Sequence, residues 1–160
     1  MLTIPVKKYV LANVAGGISA SGSYLTDGRT LGLSSTTPTA EGGAPGNCNF
    51  TEPDAAKGYA RINIYSGTQS AQVVYPFEWV STTGPTAYTE VQNKYEIHFN
   101  VATADWGDAI TYVGIFDSSN RLLAYGPVVD SQGEPTSITV LQGHIPTIAQ
   151  GQARISLDVQ

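Results

Sequence analysis

The chain has a single cysteine, Cys48. One thiol makes no intrachain disulfide and supplies no Cys-based zinc site. Its place in a Gly- and Pro-rich stretch marks it as an incidental thiol rather than a nucleophile. Charge is equally scarce, with only 13% Asp, Glu, Lys and Arg. The water-facing surface must therefore be built largely from Ser, Thr, Asn and Gln, with little help from ion pairs. Eight basic residues stand against thirteen acidic ones, a net charge of −5. Lys7-Lys8 is the only adjacent basic pair. A protein that neutralises phosphates needs clustered Lys and Arg, so a nucleic-acid partner is excluded. The N-terminus has no apolar signal core and no run approaches membrane-spanning length, so synthesis in a cytoplasm and no membrane partner are expected.

Reaction chemistry is missing too. Phosphate-cradling glycine loops, the Gly-x-Ser-x-Gly elbow and His-Glu-x-x-His are absent. His98 lies between Glu96 and Asn100, and His144 lies beside Gly143, neither with a partner at ligand or nucleophile–base spacing. Asp105, Asp108 and Asp117 match no calcium-loop spacing, and Asp beside Gly or Asn is an ordinary turn former. Glu78 and Glu96 are acids without a reason to pair as a glycosidase couple. No enzyme and no cofactor are expected.

What remains is a scaffold of one domain over residues 1–160, of a size that buries its own core. Residues 1–17 hold the one helical pattern. Pro5 suits a first turn, Val6, Tyr9, Val10, Asn13 and Val14 recur at helical spacing, and Gly16-Gly17 closes it. The Val6–Val10–Val14 side with Tyr9 docks either on the sheet or on a partner. A short strand follows at Thr30 to Ser34. Residues 35–57, with Pro38, Gly42-Gly43, Pro45-Gly46 and Pro53, form a loop long enough to be an interaction element.

Beyond Gly58 the period changes to two. Ala60, Ile62 and Ile64 alternate with Arg61 and Asn63, and Val73, Tyr75, Phe77 and Trp79 share a phase interrupted by Pro76. Thr86 to Val91 leads into Gln92-Asn93 as a hairpin turn. Tyr95, Ile97, Phe99 and Val101 take the inward phase of the next strand. An Asp105-Trp106-Gly107-Asp108 turn then connects to Ile110–Phe116, apolar on both faces as in a covered strand. Turns at Ser118-Ser119-Asn120 and Gln132-Gly133 flank Leu122 to Val129, and strands at Thr136 to Leu141 and Ala153 to Val159 complete the chain. Eight or nine short strands at near-regular spacing predict an all-β, antiparallel sandwich, with a jelly roll as a variant. The aromatics of the inward phase are assigned to the core.

Leu31-Gly32-Leu33-Ser34-Ser35-Thr36-Thr37-Pro38-Thr39, Thr51-Glu52-Pro53, Gly58-Tyr59-Ala60-Arg61, Ala102-Thr103-Ala104-Asp105-Trp106-Gly107 and Gly114-Ile115-Phe116-Asp117 follow one another in an order that resembles small tailed-bacteriophage proteins labelled tail-fibre or minor structural proteins. The resemblance covers about 150 residues by this ordering of motifs. It implies a non-enzymatic virion protein made in the bacterial host, joined to other capsid or tail proteins, and a homo-oligomer such as a trimer. With no shaft of its own, the chain is expected to be a capsid decoration or cement protein. The alternatives are a tail-fibre, collar or baseplate module, or a host-glycan binder presenting Trp79 or Trp106 to solvent. The expected assembly contacts are Val6, Tyr9 and Val10 on the helix, Pro38, Phe50 and Pro53 on the loop, and Asp105, Trp106 and Asp108 at the turn.

Overall fold

A computed structural model describes residues 28–38, 49–65, 75–80 and 90–156. The N-terminal helix expected over 1–17 lies outside them. The described chain is all-β apart from one 3-10 turn at Ala55–Lys57, capped by the Asp54 carboxylate. Nine short strands follow in order: β1 (Arg29–Ser34), β2 (Ile62–Tyr65), β3 (Phe77–Trp79), β4 (Glu90–Asn93), β5 (Ile97–His98), β6 (Tyr112–Asp117), β7 (Leu122–Pro127), β8 (Thr147–Ile148) and β9 (Arg154–Ser156).

Every pairing is antiparallel. The largest sheet has the order β2-β1-β6-β7, a second has β3-β4-β9, and β5 pairs with β8. Single bridges at Val128–Ala153 and Ile110–Ile138 tie these pieces together. β6 is the central strand, and its Val113, Ile115 and Phe116 are almost fully buried, as a strand that is apolar on both faces requires. The core gathers Leu31, Leu33, Ile64, Val91, Ile97, Phe99, Ile110, Val113, Ile115, Ile148 and Ile155 from all three sheets. Two of the expected turns, at Ser118-Ser119-Asn120 and Gln132-Gly133, are present. Asn120 (φ 64) closes β6–β7 and Gly133 (φ 89) closes the loop after β7, where Asp130 Oδ1 accepts from the Gln132 and Glu134 amides.

Four expectations are corrected. The Ile97 and Ile110 strands do not form a hairpin across the Asp105–Asp108 turn. β5 pairs with β8, and β6 pairs with β1 and β7. The segment between them is drawn aside by residues 138–144 instead: Trp106 N donates to Val140 O at 3.1 Å, and Ile110 and Ile138 exchange both backbone bonds at 2.9 Å.

Tyr95 and Val101 are not inward. They are 58% and 49% exposed, while Ile97 and Phe99 are buried. The ladder is only two residues long, so the period of two is lost on either side of it.

Gln92-Asn93 is not a turn but the end of β4. The fully buried Asn93 amide explains why: Nδ2 donates to Tyr95 O and Ala149 O, both at 2.8 Å, and Oδ1 accepts from Ala153 N at 2.9 Å. The side chain thus satisfies backbone groups that a break in the sheet would leave unpaired.

Thr136 to Leu141 makes one isolated bridge, Ile138 with Ile110, rather than a strand.

Candidate functional site

The 49–54 segment is strapped back over the largest sheet. Ser35 N donates to Thr51 O at 3.1 Å, and Thr51 N donates to Ser34 Oγ at 3.2 Å. Phe50 lies over the Gly32–Gly114 cross-strand pair and meets Phe116 edge-on, ring centroids 5.0 Å apart. Glu52 then accepts from Arg61 through both carboxylate oxygens, Nε to Oε1 and Nη2 to Oε2, each at 2.7 Å. A forked pair of this kind fixes orientation as well as distance. The Arg61 guanidinium also covers the Phe116 ring at 3.4 Å and reaches Asn120 Oδ1 in the β6–β7 turn.

The same carboxylate accepts from the Tyr59 hydroxyl at 2.5 Å, and that hydroxyl accepts from Leu33 N at 2.9 Å. Burial and the adjacent Glu52 push the Tyr59 phenol far above its ordinary value, and the Leu33 amide and Arg61 offset only part of this. In the β6–β7 turn, burial alone would raise the Asp117 carboxyl. The Arg121 amide and guanidinium and the Ser119 amide outweigh it and hold the group below the usual carboxylate value.

The strap meets the turn that precedes β6. Trp106 is 6% exposed, packs edge-on against Tyr59 at 5.4 Å, and donates from Nε1 to Lys57 O at 3.2 Å. Lys57 Nζ returns a bond to Trp106 O at 3.4 Å. Gly58 (φ 86) allows the approach, since a Cβ there would stand 2.6 Å from Val101 O. Between strap and turn lies a small recess of about 180 Å³, lined by Ser35, Thr51, Pro53, Asp54, Trp106 and Asp108 among others. Its lining combines the polar residues Ser35, Thr51, Glu52, Asp54 and Asp108 with the buried Trp106 and Ile110.

The structure thus brings three expected contact residues, Pro53, Trp106 and Asp108, to one recess from segments 53 residues apart. Asp105 is exposed at the same turn, where Oδ1 accepts from Gln142 N at 2.7 Å. Phe50 sits half-buried on the sheet and Pro38 is buried. Val6, Tyr9 and Val10 lie outside the described residues. Trp106 in the core is no sugar platform, which removes one of the two tryptophans that a glycan-binding surface was expected to present. Sequence reading missed the Glu52–Tyr59–Arg61 cluster as a unit. Its signal was there in the two short motifs Thr51-Glu52-Pro53 and Gly58-Tyr59-Ala60-Arg61, which are the two halves of one hydrogen-bonded clamp.

Among the described residues, no group of three or more His, Cys, Asp or Glu is placed to hold a metal ion, and no helix is long and apolar enough to cross a membrane.

Comparison with curated proteins finds no match. A family model described as podophage GP4 fiber I protein gp80 matches residues 25–156, from just before β1 to the end of β9. It takes in the strap, the clamp, the Trp106 turn and all three sheets. The resemblance to tailed-phage fibre and minor structural proteins is thereby established, and the chain belongs to the podophage GP4 fiber I protein gp80 family, a structural component of the phage virion.

Proposed function

We propose that the chain is a non-enzymatic module of a podophage tail fibre, a single β-sandwich unit that joins neighbouring virion proteins through the face formed by the strap and the Trp106 turn. The observation that carries this reading is the fibre-family match over residues 25–156. It favours the tail-fibre placement, and nothing supports the capsid-decoration role expected from the chain's compactness. The contact face is argued from geometry. Two segments distant in sequence are fixed against each other by the two Trp106–Lys57 bonds and the Tyr59–Trp106 ring contact, while the Glu52–Arg61 fork holds the strap in place on its own side. The rigid recess between them needs no ordering on contact, and preorganised surfaces lose less entropy on binding.

The test is the copy number of the protein per virion, measured by quantitative mass spectrometry against the major capsid protein, together with labelled antibody in electron micrographs. A few to a few dozen copies with label at the tail supports the fibre reading. Hundreds of copies with label over the head overturns it.

A further inference from the structure

We draw no further inference here: the strongest candidate, the aromatic surface patch where Tyr112 of β6 meets the exposed Tyr125 of β7 at a ring-centroid distance of 6.4 Å, carries nothing, since nothing in the structure shows what covers it.

Discussion

Gly114 stands opposite Gly32 across the β1–β6 ladder, and the Phe50 ring fills the space that a side chain on either strand would occupy. A Cβ built on Gly114 would lie 2.5 Å from Phe50 Cε2 and 2.8 Å from Leu122 Cδ1. The paired glycines are thus the seat of the strap, and the strap is one wall of the recess.

Gly114→Ala should therefore destabilise the protein through overpacking, by about 1–3 kcal/mol, as the ring is pushed off its seat. Phe50→Ala should cost a similar amount by exposing the trough. If the two changes act on one contact, the double variant will be less destabilised than the sum of the singles, by at least ~0.5 kcal/mol. Urea unfolding of the four proteins measures this, and strict additivity would mean that Phe50 and Gly114 do not share a contact.

Asn93 is fully buried with three side-chain hydrogen bonds to backbone. Replacing it by Leu keeps the volume and leaves the Tyr95 and Ala149 carbonyls and the Ala153 amide without this partner. Each buried group so orphaned costs roughly 1–3 kcal/mol, so Asn93→Leu should lower stability by about 3 kcal/mol or more. Hydrogen exchange should show the Ala153 amide losing protection first. A variant as stable as wild type would mean that water replaces the amide at no cost.

Two groups give pH dependences of opposite sense. The Tyr59 phenol is raised on folding, so its contribution is complete below the unfolded value of about 10 and is lost as pH climbs above it. Tyr59→Phe should reduce the alkaline slope of stability relative to wild type. The Asp117 carboxyl is lowered on folding, so its contribution is complete above the ordinary carboxylate value of about 4 and disappears as pH falls through its depressed folded value. Asp117→Asn should flatten the slope on the acid side of about pH 4 and leave the alkaline limb unchanged. Thermal melts at closely spaced pH values measure both, and slopes identical to wild type in either variant would remove that residue from the account.

How much of this was legible in the sequence depends on how local its cause is. The covered strand Ile110–Phe116 and the turns at Asn120 and Gly133 were readable, because hydrophobic period and turn chemistry act over a few residues. The Asn93 turn was misread because an Asn at a strand end looks the same whether its amide faces water or, as here, the carbonyl of Ala149, 56 residues on. Tyr95 and Val101 were misassigned because alternation says which residues share a face, not how far the ladder runs. At the recess, Pro53, Trp106 and Asp108 were each singled out, but nothing local announced that the Trp106–Lys57 bonds, 49 residues apart in sequence, would bring them to one place. The indole's burial was equally hidden, since it depends on Tyr59 and Lys57 from the far side of the strap.

That burial separates fold from contact at the recess. Trp106→Ala removes a core ring and its bond to the Lys57 carbonyl, and should cost about 3–5 kcal/mol, so any loss of assembly in this variant follows from unfolding. Asp108 is exposed at the recess rim, where a surface substitution ordinarily changes stability by no more than about 0.5 kcal/mol. Asp108→Lys should therefore melt as wild type does, yet incorporate poorly into virions if the recess faces a neighbouring protein. Comparing incorporation of the folded Asp108→Lys protein with wild type in a complementation assay reads this directly. Equal incorporation would move the contact face away from the strap and the Trp106 turn while leaving the fibre assignment standing.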